Sequence, residues 1–208
     1  SGSDWFFKNT NYSRKPGFTW RDELNANLSQ GVQTALSVPM LGWVAKDLRS
    51  VGFPVSLFGD QDAVDSGAGN GMKDGKPLTP KSPTLTSIAS TPQSIAEWVT
   101  AIRNDDAKRG GKKSVAMYFL DNEPSLWSDT HRDVHPEPLT YDEQLEKTIA
   151  YAKAIKSAAP DALVAGPSDW GWSAYFYSAA DLKAGAQLRP DRRAHGDVPF
   201  LQWYMSEL

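Results

Sequence analysis

Apolar residues recur along this chain with a helical period in some stretches and as short unbroken runs in others, and the switches mark its elements. Over 19–33, Trp20, Leu24 and Leu28 fall four apart behind Thr19, a residue type that caps helices, and the spacing predicts a modest helix. "TALSVPML" (34–41) is an apolar run closed by Gly42 and reads as a strand buried on both faces. In "TPQSIAEWVTAIRNDDAKRGG" the helical period returns, with Thr91 as N-cap and Pro92 at the first helical position, where its missing N–H costs nothing. Ile95, Trp98, Val99 and Ile102 form its stripe, and Gly110-Gly111 ends it. "SVAMYFL" (114–120) is a second apolar strand. "TYDEQLEKTIAYAKAIKSAAP" opens with Thr140 and Glu143 at capping-box spacing and carries Leu145, Ile149, Ala152 and Ile155 as its stripe. "ALVAG" (162–166) is a third strand, and "DVPFLQWYMSEL" (197–208) begins another helix.

From 52 to 91 neither period holds. "GDQDAVDSGAGNGMKDGKPLTPKSPT" is dense in Gly, Pro, Asp and Ser, which is turn chemistry. It predicts a long excursion after the first strand, with a short hairpin built on "FPVSLF" (53–58). Loops of this length inside a domain usually serve function. The order β, α, β, α, β, α with apolar strands predicts an α/β fold whose parallel sheet is covered by helices, and leaves an open sheet and a closed barrel equally compatible. Three units are too few to close a barrel, so residues 1–208 read as a single, partial domain.

Composition narrows the function classes. The chain is 40% apolar with a formal charge of −3, and it has no basic stripe for a phosphate backbone. No run approaches the roughly 18 apolar residues of a membrane helix. The absence of cysteine removes disulfides, thiolate metal sites and a Cys nucleophile. "SGSDWFFKNT" has neither the basic start nor the apolar core of a signal peptide, so the residues leave the compartment open. Eight Trp and seven Tyr tilt the picture further, because Trp5, Trp43, Trp127, Trp170 and Trp172 all fall in loop-like segments. Flat rings in loops stack on the C–H faces of sugars; the alternative is that they fill the core.

In parallel α/β folds functional groups gather at the carboxyl ends of strands. The first strand here runs into Trp43, Lys46 and Asp47, the second into Asp121, Asn122 and Glu123, and the third into Ser168, Asp169, Trp170 and Trp172. Carboxylates and indoles on one rim suit a carbohydrate cleft. Glycosidic oxygen is a poor leaving group, so its departure needs a carboxylic acid, and a Glu beside apolar residues at a strand end is placed where burial favours the protonated form. Glu123 is the candidate, with Asn122 as an orienting amide; the competing reading of "DNEP" is a strand-to-helix turn. His131 and His135 stand four apart but outside any helical period, which argues for sugar hydrogen bonds or loop structure over metal ligation. Asp60, Asp62 and Asp65 have the oxygen-rich character of a calcium loop without EF-hand spacing, and the competing reading is a solvated acidic loop.

"DNEPSLWSDTHRDVHPEPLTYDE", with "SVPMLGWVAKD", "GSDW" and "AGPSDWGW", resembles glycoside hydrolase family 44, the endo-β-1,4-glucanases and xyloglucanases. The resemblance implies part of a (β/α)8 barrel with an added β-rich domain, and retention of configuration through a covalent intermediate. It implies Glu123 as general acid/base with Asn122 beside it, and a cleft wall carrying Trp127, His131, Arg132 and His135, joined by Trp43, Trp170 and Trp172 as substrate contacts. No cofactor is required, structural calcium being the one candidate ion, and the implied setting is a secreted bacterial enzyme. The family's nucleophile is a Glu on a later strand, and none of Asp121, Asp129, Glu137 or Asp169 sits in that motif. The expected partners are therefore a β-glucan and the remainder of the barrel, without which this chain is expected to be unstable. A non-hydrolytic glucan-binding fragment is the alternative. A barrel enzyme of another class lacks support, since there is no Gly-rich phosphate loop and no obvious Schiff-base Lys on a buried strand.

Overall fold

The computed structural model describes residues 2–3, 6–10 and 17–208; Trp5 lies outside them. Three parallel strands form the centre: β1 (Thr34–Val38), β2 (Val115–Leu120) and β3 (Leu163–Ala165), with β2 in the middle. Met117 is level with Ala35 and Leu163, and Phe119 with Ser37 and Ala165. Four longer helices accompany them: α1 (Trp20–Ser29), α2 (Pro92–Lys108), α3 (Tyr141–Ala158) and α4 (Phe200–Glu207). The parallel α/β arrangement agrees with the sequence reading.

Strand alternation sorts the sheet into two unlike faces. Val38, Tyr118 and Leu120 point into a core with Ile95, Val99 and Ile102 of α2 and Tyr151 and Ile155 of α3. On the opposite face Ala35 and Ser37 are exposed, and Leu163 is 59% exposed. The expectation of strands buried on both faces therefore holds for one face only among the described residues. An unbroken apolar run looks the same whichever body of protein covers its second face.

The helix boundaries follow their caps. Thr91 and Ser94 complete a capping box at α2, while buried Asp106 near its end accepts from the Ser114 N–H at 3.2 Å and so ties helix to following strand. At α3 only half of the expected box forms. Thr140 Oγ1 accepts from the Glu143 N–H at 3.2 Å, but the Glu143 carboxylate turns to His135. The buried stripe of α3 is also displaced from the expected one: Tyr141, Gln144, Thr148, Tyr151 and Ile155 are its buried residues. Gln144 and Thr148 go inside because α4 covers them, with Tyr204 Oη donating to Thr148 Oγ1 at 3.0 Å.

The 52–91 excursion is an ordered flap. Trp43–Ala45 pairs antiparallel with Ser87–Ala89 and closes its base. The expected hairpin at 53–58 is instead a helical turn, Val55–Phe58, and the hairpins lie further on, at Val64–Asp65 with Ala68–Gly69 and Met72–Lys73 with Lys76–Pro77. Phe53, fully buried, packs on Phe7 and Phe58 as a small core of its own. Gly71 sits at φ +68°, and a Cβ there would lie 2.7 Å from Arg132 Nη2 and 2.8 Å from Phe53, so a side chain would be strained and would displace them.

Candidate active site

Strand β2 ends in an abrupt backbone reversal. Asp121 (φ 64°) and Glu123 (φ 51°) both adopt the left-handed conformation, which ordinary residues hold only where the surroundings enforce it. The neighbours on both sides do so. The Asp121 N–H donates to Val38 O at 2.8 Å, and the Glu123 N–H donates to Ser168 O at 2.7 Å. Glu123 thus stands just past the end of the middle strand, in a turn that Asp121 ties to the end of β1 and Glu123 itself ties to the loop after β3. Its neighbour Asn122 is exposed, and Pro124 is buried at the start of a short turn, Pro124–Leu126.

Both carboxylates flanking Glu123 have structural partners. Asp121 accepts four hydrogen bonds, and Asp169 Oδ1 accepts from the N–H groups of Ser125 (3.0 Å) and Trp170 (2.8 Å). Asp169 therefore fastens the Trp170 loop to the segment that follows Glu123. At the first strand end, Asp47 caps its own turn, and its hydrogen bond from the Ser50 hydroxyl, with those from the Arg49 and Ser50 N–H groups, holds its carboxyl at about 2. Lys46 reaches Thr84 O at 2.9 Å across the base of the flap.

The sequence-predicted sugar contacts separate into three groups. Trp43 and His131 share a cavity of about 230 Å³ with Asp121 and Asp133. Trp170, 55% exposed, borders a groove of about 500 Å³ with Ser125, Asp129, Arg132 and Lys183. Trp172 is 75% exposed and lies 5.1 Å from the half-exposed ring of Tyr175. Tyr175 escaped the sequence reading because an aromatic in a turn carries no periodic signal.

Trp127 and His135 require correction. Trp127 is 1% exposed, belongs to the core cluster and donates from Nε1 to Asp121 Oδ1 at 3.3 Å. His135 packs its edge against that indole at 5.2 Å and donates from Nε2 to Glu143 Oε1 at 2.9 Å. Neither offers a face to a sugar; they lie under the site. Burial alone would raise the Glu143 pKa, but the His135 hydrogen bond and the His135 and Lys147 charges outweigh it and hold the carboxyl low. Arg132 is likewise committed: Nη1 donates to Leu78 O and Nη2 to Gly71 O, both at 3.1 Å, with Phe7 and Phe53 against the guanidinium. It pins the flap.

The candidate calcium loop at Asp60, Asp62 and Asp65 does not bring its carboxylates together. Asp62 accepts from the Asp74 (2.7 Å) and Gly75 (2.9 Å) N–H groups, Asp65 pairs with Lys8, and Asp60 is exposed. Among the described residues no group of three or more His, Cys, Asp or Glu side chains could hold an ion.

Asp133 was not anticipated. Burial pushes its carboxyl above the ordinary value of 3.8, despite the Thr86 hydroxyl donating to Oδ2 at 3.1 Å and the proximity of His131. The folded state therefore holds this proton more tightly than the unfolded chain does. Stability falls as pH rises from 3.8 through the raised value, and the whole cost is present above it. Asp133→Asn is expected to stabilise the protein at neutral pH and to flatten this slope, read from denaturant midpoints at mildly acidic and neutral pH. A neutral-pH midpoint below that of the parent would show the carboxylate to be needed.

Known proteins bear on the whole of this geometry. CelM2, a bifunctional glucanase-xylanase from a metagenome library, superposes over 100% of this chain and 42% of its own, with a TM-score of 0.88 and 31% identity. A Paenibacillus polymyxa xyloglucanase from glycoside hydrolase family 44 shares the fold at a TM-score of 0.65 and 24% identity, over 98% of this chain and 39% of that one. The beta-mannanase/endoglucanase A of Caldicellulosiruptor saccharolyticus is 32% identical over 112 residues, 54% of this chain and 8% of that protein. The chain thus spans less than half the length of each of these relatives. The profile of glycoside hydrolase family 44 matches residues 1–208, and the chain belongs to that family.

Proposed function

We propose that this chain supplies the general acid/base of a retaining, endo-acting hydrolase of β-1,4-linked glucans, with Glu123 as that residue. The observation that carries the reading is the placement of Glu123, in an uphill backbone conformation, just past the end of the middle strand, with its own N–H bonded to Ser168 O beyond β3 and the Asp121 N–H two residues earlier bonded to Val38 O at the end of β1. A carboxyl that protonates a departing oxygen and then takes a proton from water must hold one position through both steps. The exposed Trp170 and Trp172 supply flat faces on which a glucan can stack.

A retaining site needs a second carboxyl about 5 Å from the first. Both Asp121 oxygens accept hydrogen bonds from the protein and Asp169 Oδ1 accepts two, which supports a nucleophile contributed by polypeptide outside this chain. The open face of the sheet supports the same arrangement, since in a closed (β/α)8 barrel that face would be the interior. These carboxylate contacts also favour the second reading, a glucan-binding unit without hydrolysis. Proton NMR of the first products, using a complete polypeptide that contains this chain, tests both. The β-anomer appearing first is the expected result. The α-anomer first would overturn retention, and binding without new reducing ends would establish the second reading.

A further inference from the structure

The polar groups beneath Glu123 form a continuous clamp. Asp121 Oδ2 accepts from the N–H groups of Met40 and Leu41, the latter at 3.0 Å, and Oδ1 accepts from the Asn122 N–H at 2.8 Å and from Trp127 Nε1 at 3.3 Å. A carboxylate has about four lone-pair sites, and here all have donors. The carbonyls of the same two residues face a cation: Lys147 Nζ donates to Met40 O at 3.2 Å and to Leu41 O at 3.4 Å. The Met40-Leu41 turn, which leads from β1 to Trp43, is thus gripped by an anion on its N–H side and a cation on its C=O side. Lys147 also lies 5.5 Å from the Trp127 ring and 3.7 Å from Glu143 Oε1.

We infer that Asp121 and Lys147 are a positioning pair, which sets the turn after β1 against the strand end carrying Glu123 and so holds that carboxyl in place for proton transfer. Left-handed residues at 121 and 123 persist only when their surroundings over-determine them, and Asp121 is where those restraints converge. Both act on Glu123 through the turn and strand end that they fasten, which makes them positioning residues. The inference rests on Glu123 being the acid.

The test uses Asp121→Asn and Lys147→Met in the complete polypeptide, with Glu123→Gln alongside. An Asn amide would turn an N–H toward groups that are already donors; Met keeps the Lys stem without its charge. The expected result for each is a kcat on natural β-glucan lower by on the order of 10²-fold with KM little changed. Glycosides with very good leaving groups should be spared, because they need little acid. A merely structural role would reduce both substrate types equally, and that outcome, or an unchanged kcat, overturns the inference. If Asp121→Asn does not fold, Lys147→Met decides by the same ratio. If Glu123→Gln shows no leaving-group dependence, the acid/base reading itself fails. If Glu123→Gln shows it while the two variants do not, only the positioning pair is lost.

Discussion

Glu123→Gln is expected to remove hydrolysis of natural β-glucans by on the order of 10²–10⁴-fold, the usual contribution of a general acid. That loss corresponds to about 3–5 kcal/mol of transition-state stabilisation. Gln keeps the shape and acceptor oxygen of the side chain but has no acidic proton to give. The backbone bond from the Glu123 N–H to Ser168 O is independent of the side chain, so the left-handed turn and the fold should survive. The deficit should depend on the leaving group. Cellulose-type substrates expel a poorly stabilised alkoxide and lose nearly everything, whereas an aryl glycoside with an acidic phenol departs with little help. Comparison of kcat/KM for the two substrate types on parent and variant is the measurement, and an equal loss on both would sink the assignment of Glu123 as acid/base.

Trp127→Ala is expected to cost stability above all, by about 3–5 kcal/mol, the range for deleting a buried Trp. The ring is 1% exposed, and its Nε1 is one of the four donors on Asp121. The substitution opens a cavity and frees one lone pair of a carboxylate that organises two strand ends. Trp127→Phe keeps most of the packing but loses the donor, and should fall between parent and Ala variant. Denaturant midpoints for the three proteins decide. A sugar-stacking Trp would behave otherwise: the Ala variant would keep its midpoint and show only a raised KM.

These two residues show where sequence reasoning stops. Glu123 could be singled out as a candidate because the end of an apolar strand is a position with a chemical meaning in parallel α/β folds. Trp127, four residues later, carries the same loop-like surroundings as Trp170. One is core and the other is 55% exposed. Sequence distance to a turn does not report which way an indole faces, since that depends on α3 and the turn after β1 closing over it. Arg132 and His135 fail for the same reason. Their partners, Leu78 and Gly71 for one and Glu143 for the other, lie on a flap and a helix whose docking no local pattern encodes. Asp60, Asp62 and Asp65 share one loop, yet hairpin geometry turns them to different partners.

By itself the sequence determined the order of the three central strands and the longer helices, the capped start of α2, and Glu123 as the acid to test. Each of these depends on contacts within a few residues or on a period that one helix or strand imposes. Tertiary structure alone decided that one sheet face is covered, that Gln144 and Thr148 are buried beneath α4, that the flap has its own aromatic core, and that Asp121 is a hub. Each of these joins groups distant in the chain: Asp121 meets Met40 and Leu41 across some eighty positions, and Arg132 meets the flap across about sixty. The free energy of such contacts exists only once the intervening chain has folded, so no local pattern of residues can record them.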